Sequence, residues 1–158
     1  MRVLFICSGN VFRSQIAEAF FGKSSKKNSA ISAGIEARKL HHAGKKLERE
    51  CPLVVQLMAE VGIDVSESQS KQMIKSTAKT ADVVVWLTNT DDIPGYLKGD
   101  KRLRVWHVSD LYPPDLSKLS QSIATWTKDN IGKANYHFFR ERRNQIRTNV
   151  TRLVKEIG

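Results

Sequence analysis

The sequence predicts an α/β fold, a parallel sheet with helices on both faces, in one domain over residues 1–158. Three observations lead there. Short apolar runs rich in β-branched residues alternate along the chain with segments of helical period, the pattern of strands joined by helical crossovers. One run, Asp82-Val83-Val84-Val85-Trp86-Leu87, is apolar without alternation, as expected of a central strand covered on both sides. Finally, 158 residues with 41% hydrophobic content can bury a core without disulfides or metals, and no linker-like or low-complexity stretch divides them.

Taken in order, Val3-Leu4-Phe5-Ile6 leads to Cys7 as a first strand, and Ile16, Ala17, Ala19 and Phe20 mark the helix after it, which fades between Lys23 and Asn28. Ala30 to Gly34 reads as a second strand. His41 to Glu50 is polar and suits a loop or short helix. Pro52 is placed to begin a helix through Val54, Val55, Leu57, Met58 and Val61, which Gly62 stops. The run at 82–87 is the third strand, and Leu103 to Val108 the fourth. Between them, Pro94-Gly95 breaks a short helical segment. A helix is expected from Leu116 to Trp126, and a long basic one from about Ala134 to Ile157. In the last, Phe139, Ile146, Val150, Leu153 and Ile157 recur at helical spacing and define a core-facing stripe.

Composition excludes several classes. Met1-Arg2 leads into an apolar run of only five residues, Val3 to Cys7, so neither a signal segment nor a membrane span is expected, and the expected location is cytoplasmic. Two cysteines make no disulfide framework, and His41, His42, His107 and His137 make no metal motif; no metal and no cofactor are expected. The net charge of +10 raises nucleic-acid binding. However, Arg140, Arg142, Arg143, Arg147, Arg152 and Lys155 interleave with the apolar stripe and read as the solvated side of a docked helix. The same charge attracts phosphorylated substrates.

The chemistry concentrates between the first strand and first helix, in Cys7-Ser8-Gly9-Asn10-Val11-Phe12-Arg13-Ser14. A loop entering a helix N-terminus presents several backbone N–H groups and the positive end of the helix dipole, a cradle for an oxyanion. Arg13 adds a planar fork able to hold two anion oxygens. Gly9 and Asn10 tolerate the positive φ that a tight cradle needs. Cys7 lies beneath, where the field that attracts phosphate also favours thiolate over thiol. An anion cradle with a thiolate at its base describes a nucleophilic phosphatase. The plainer alternative, a buried strand-end cysteine, leaves Arg13, Ser14 and the Gly9-Asn10 pair unexplained.

The stretch resembles the active-site loop of the low-molecular-weight protein tyrosine phosphatases, a superfamily shared with the thiol-dependent arsenate reductases. Cys-x5-Arg-Ser after an N-terminal apolar strand, followed by Ala17-Glu18-Ala19, carries the resemblance. Ser32-Ala33-Gly34, Gly62-Ile63-Asp64 and Ser70-Lys71-Gln72 extend it. It implies a four-stranded sheet of order 2-1-3-4 and hydrolysis of phosphotyrosine or another aryl phosphate through a phosphocysteine. The substrate would be a phosphorylated protein or small aryl phosphate, with inorganic phosphate as product or inhibitor. In its terms Cys7 is the nucleophile and residues 8–14 hold the phosphate. Ser14 stabilises the thiolate, Asn10 holds the loop through its amide, and Ser32 supports the loop.

The acid that protonates the leaving oxygen is sought in Ser109-Asp110-Leu111-Tyr112-Pro113-Pro114-Asp115, just past the fourth strand, at the sheet edge where ligands bind in such folds. Asp110-Leu111-Tyr112 resembles the family's Asp-Pro-Tyr with leucine for proline, which implies Asp110 as acid and Tyr112 as an aromatic flanking the entrance; Asp115 is the rival. Gln15 departs from the proline usual in the phosphatases, and many of the reductases have glutamine there. A reductase drawing on an external thiol would need only Cys7, whereas the thioredoxin-coupled kind needs further cysteines that Thr88 to Gly99 lacks. A non-catalytic phosphate or phosphoprotein binder is the third reading. Cys51, ahead of Pro52, sits where a helix N-terminus could activate it, or is inert.

Overall fold

In a computed structural model that describes residues 1–108 and 112–158, four parallel strands form one sheet. They are β1 (Arg2–Cys7), β2 (Ser29–Gly34), β3 (Val83–Trp86) and β4 (Leu103–Val105), ordered β2-β1-β3-β4 as the resemblance implies. β1 runs between β2 and β3, with Cys7 beside Gly34 and Ile6 beside both Ala33 and Trp86. Strand alternation divides β1 between two cores. Val3, Phe5 and Cys7 enter one with Ile16, Leu57, Phe139 and Ile146, while Leu4 and Ile6 enter the other with Met73, Ala78 and Trp86. Both faces are therefore covered, which explains the continuous apolar runs.

The helices are α1 (Arg13–Ser24), α2 (Leu47–Glu50), α3 (Pro52–Ala59), α4 (Lys75–Lys79) and α5 (Lys133–Ile157). Pro52 opens α3, as the sequence led one to expect, while the helix ends at Ala59, before Val61, and Gly62 takes φ +74° in the turn that follows. The stripe on α5 is buried at Phe139, Ile146, Val150 and Leu153. Arg143 departs from the basic face assigned to it. It is 5% exposed on the core side of α5, with Nη1 donating to the Leu57 carbonyl and to Glu60 Oε1, each at 2.7 Å. A guanidinium tolerates that burial because its donors find partners.

Two expectations about elements fail. The span from Leu116 to Trp126 is no helix but two short 3₁₀ turns, Leu116–Lys118 and Ile123–Thr125. Its hydroxyl side chains compete for the backbone: Ser120 Oγ and Thr125 Oγ1 both donate to the Ser122 carbonyl, at 3.1 and 2.8 Å. β4 stops at Val105 instead of Val108, because β3 ends at Trp86 and offers one last acceptor, to the Trp106 N–H at 2.9 Å.

Candidate active site

Cys7 is the last residue of β1 and Arg13 the first of α1, so the loop between them crosses the carboxyl edge of the sheet. Cys7 is 2% exposed. The left-handed conformation expected in the loop falls on Asn10, at φ 57°, and not on Gly9. An asparagine tolerates this conformation better than most side chains because its short amide bonds locally. The loop's far end is anchored by Phe12, which is buried with its ring centroid 5.6 Å from that of Phe139 on α5.

Gly34 is needed for a different reason. Its φ is not in the left-handed region, but a Cβ there would lie 2.6 Å from the Ser8 carbonyl oxygen and 2.8 Å from the Asn10 nitrogen. The loop thus rests on the bare α-carbon of Gly34. On the outer side, His42 backs Gly9, and its ring is held by Glu50 at 2.9 Å from Nδ1.

Asn10, fully buried, organises the hydrogen bonds around Cys7. Its Oδ1 accepts from the Lys71 N–H at 2.8 Å, which fixes the orientation of the amide. Nδ2 therefore donates, to Ser14 Oγ at 2.7 Å and to Ser32 Oγ at 2.9 Å. With an oxygen lone pair engaged this way, the Ser14 hydroxyl proton is available to Cys7 Sγ, 2.9 Å away. The Ser32 hydroxyl in turn donates to Glu18, whose Oε2 lies 3.6 Å from Lys71 Nζ.

The carbonyls of the loop point outward. Those of Cys7 and Ser8 accept from Ile35 and Glu36, and Ser70 Oγ donates to those of Gly9 and Asn10. Among the described residues, no acceptor engages the N–H groups of Ser8 to Ser14. Successive unengaged N–H groups of this kind are what a nest offers an anion. Arg13 Nη1 donates to the Leu87 carbonyl at 3.0 Å, while its Nε is buried with no acceptor among the described residues. The Ser8 hydroxyl lies 2.8 Å from Thr88 Oγ1. A cleft of about 460 Å³ opens from Arg13 between Thr88, Asn89 and Thr90 on one side and Trp106, His107 and Val108 on the other.

The structure thus brings Cys7, Ser8, Gly9, Asn10, Val11, Phe12, Arg13, Ser14 and Ser32 into one cluster. Asp110 lies outside the described residues. Tyr112 is 73% exposed. Asp115 is occupied elsewhere. Its carboxylate accepts from the Ser117 N–H and hydroxyl, and its backbone is clasped by Asn135 at 2.9 and 2.7 Å. Cys51 has no exposed surface, and burial pushes its thiol up to about 12, opposite to activation by a helix terminus. Sequence reasoning missed Glu18, Gln69 and the cleft side chains of Thr88, Trp106 and His107. Only the last three carried a signal, since they follow the ends of β3 and β4.

Fold and site define a class: a parallel α/β domain bearing a buried cysteine at the base of a strand-to-helix loop at the carboxyl edge of its sheet. The model of the low molecular weight phosphotyrosine protein phosphatase family matches residues 2–158, and the chain belongs to that family. Curated relatives divide between two activities. One is the "Probable low molecular weight protein-tyrosine-phosphatase EpsP" of Ralstonia nicotianae, 36% identical over 83 residues, 52% of each chain. Another is an arsenate reductase of Brevibacillus brevis, 37% identical over 92 residues, 57% of this chain and 60% of the relative. These matches thus span little more than half the relatives' length. Among solved structures, Vibrio vulnificus Wzb in complex with benzylphosphonate superposes with a TM-score of 0.72 at 19% identity, covering 98% of this chain and 97% of that one. An arsenate reductase in the phosphate binding state gives 0.70 at 24%, covering 99% and 98%. At those identities the two structures speak for the fold alone.

Proposed function

We propose that the protein hydrolyses phosphotyrosine or another aryl phosphate monoester through a phosphocysteine. The observation that carries this reading is the Cys7 thiol, with the Ser14 hydroxyl 2.9 Å away, at the base of a loop whose amides are unengaged among the described residues. The Cys7 thiolate attacks phosphorus and the ester P–O bond breaks. Arg13 and the loop amides hold the three remaining oxygens. Asp110 gives its proton to the leaving oxygen, then takes one from the water that cleaves the S–P bond, which restores the thiolate and releases inorganic phosphate. The engagement of Asp115 with Ser117 favours Asp110 for this role.

Turnover of p-nitrophenyl phosphate by the protein and by its Cys7→Ser and Asp110→Asn variants tests the proposal. Both substitutions should abolish or strongly slow release of nitrophenol, and Asp115→Asn should leave it nearly intact. Release that survives Cys7→Ser sinks the mechanism; a strong loss in Asp115→Asn moves the acid.

The second reading, arsenate reduction, is favoured by Gln15 and by the reductases among the relatives. It would require an external thiol, because Cys51 is sealed in the core. Arsenate turnover with glutathione or mycothiol at an efficiency above that of phosphate release would put it first.

A further inference from the structure

Gln15 stands in the first turn of α1, 3% exposed, and hydrolysis as proposed gives it no task. Its Nε2 reaches the Asn10 carbonyl at 3.2 Å, Asn10 Oδ1 at 3.1 Å and the Gln69 carbonyl at 3.0 Å. All three partners are pure acceptors. The position therefore calls for a donor, and a side chain of equal size without N–H groups cannot meet it.

Asn10 is the residue in the left-handed conformation, and its carbonyl is held from two directions, by Gln15 Nε2 and by Ser70 Oγ at 2.8 Å. In a trans peptide the C=O and N–H point opposite ways. Drawing the Asn10 carbonyl toward α1 and the segment at 69–71 therefore turns the Val11 N–H to the other side of the loop, where no acceptor among the described residues meets it. The single Ser70 proton is shared with the Gly9 carbonyl at 2.9 Å, which acts in the same way on the Asn10 N–H.

We infer that Gln15 is a positioning residue of the oxyanion cradle: as a donor to Asn10 it sets the peptide whose Val11 N–H grips the bound anion. The inference rests on the anion-binding reading of the loop and is independent of which reaction follows binding. Loss of this donor leaves a buried carbonyl and a buried amide oxygen less well satisfied and frees the peptide to rotate.

Affinity for inorganic phosphate, measured by calorimetry on the parent, Gln15→Met and Gln15→Glu, tests it. Gln15→Met fills the space without donating, and phosphate should bind about tenfold more weakly. Gln15→Glu matches the shape, but near neutrality it sets a carboxylate against three acceptors and should bind more weakly still. Burial among acceptors raises that carboxyl above its ordinary range, so lowering the pH from about 8 to about 5 lets it carry a proton and donate once. Relative to the parent at each pH, Gln15→Glu should then recover while Gln15→Met stays flat. A space-filling role predicts no such divergence. Phosphate affinity in Gln15→Met within about twofold of the parent overturns the inference, and that variant decides alone if Gln15→Glu does not fold. A parent that binds phosphate but releases none from p-nitrophenyl phosphate would sink the hydrolase reading and leave this one standing.

Discussion

Cys7 Sγ and Ser14 Oγ lie 2.9 Å apart, both closed off from solvent, with the serine oxygen already accepting from Asn10. This arrangement gives the hydroxyl a direction. Its proton has the sulfur as a partner, and under the proposed mechanism that bond supports the attacking thiolate. Ser14→Ala removes that bond without adding bulk. A hydrogen bond to a charged group contributes roughly 1.5–3 kcal/mol, so turnover of p-nitrophenyl phosphate at neutral pH should fall by about ten- to a hundredfold. Steady-state rates and iodoacetamide alkylation of Cys7 should decline together, because both need the thiolate.

Cys51 should be a bystander in redox chemistry. Resolving an oxidised Cys7 as a disulfide needs an accessible thiolate, whereas Cys51 is sealed in the core with its thiol pushed up to about 12. Cys51→Ala is therefore expected to leave peroxide inactivation, and its recovery with dithiothreitol, as in the parent. A time course of residual activity after peroxide checks this. Faster irreversible loss in the variant would show that Cys51 does shield Cys7.

Glu60 ties α3 to α5, and its acid titration should register in stability. Hydrogen bonds from Arg140, at 2.8 Å from Oε2, and from Arg143 hold its carboxyl well below the usual range, at about 2. A carboxyl with a depressed folded-state value binds its proton more readily when unfolded. Its contribution is full above the unfolded value of about 4.3 and is lost as pH falls from there toward about 2. Glu60→Gln should lower Tm at pH 7, and the gap from the parent should narrow through that window. Thermal melts across the acid range would show a constant gap if the pair contributes nothing pH-dependent.

Much of this was legible in the sequence, for a definite reason. Buried parallel strands impose continuous apolar runs, so the α/β sheet could be anticipated from the residues, while its strand order came only with the family resemblance. The cradle's residue types follow one another within Cys7 to Ser14, so the candidate site could be located there. Spatial neighbours far apart in sequence were harder. Glu18 joins the loop's network through Ser32 on β2, and Gln69 through Gln15, by a backbone carbonyl that no residue type would reveal. The span from Leu116 to Trp126 misled because its apolar spacing suits a helix while its serines and threonines bond the backbone instead. Arg143 misled because a single arginine can serve the core side of a helix when a carboxylate and a carbonyl await it.

Gly34 offers the sharpest test of how the sheet shapes the cradle. It stands beside Cys7 in β2, and a Cβ there would meet the Ser8 oxygen at 2.6 Å, the Asn10 nitrogen at 2.8 Å and the Gly9 carbonyl carbon at 2.8 Å. All three are backbone atoms, so no flexible side chain can swing aside. Its own backbone is pinned as well, by the N–H of Gly34 to the Lys71 carbonyl and of Met73 to the Gly34 carbonyl, each at 2.8 Å. In Gly34→Ala the loop must therefore lift. That movement would strain the bonds from Ser70 and Gln15 that hold Asn10, and carry the amides of Asn10 and Val11 away from the height set by Cys7. Overpacking of this kind costs about 1–3 kcal/mol, a drop in Tm that calorimetry would detect. Phosphate affinity should fall at least tenfold, by about 1.4 kcal/mol or more. The contrast with Gly22, where an added Cβ meets nothing within 4 Å, supplies the control: Gly22→Ala, inside α1, should raise Tm slightly and leave phosphate binding unchanged. A Gly34→Ala protein that binds phosphate like the parent would mean that the loop does not rest on this α-carbon.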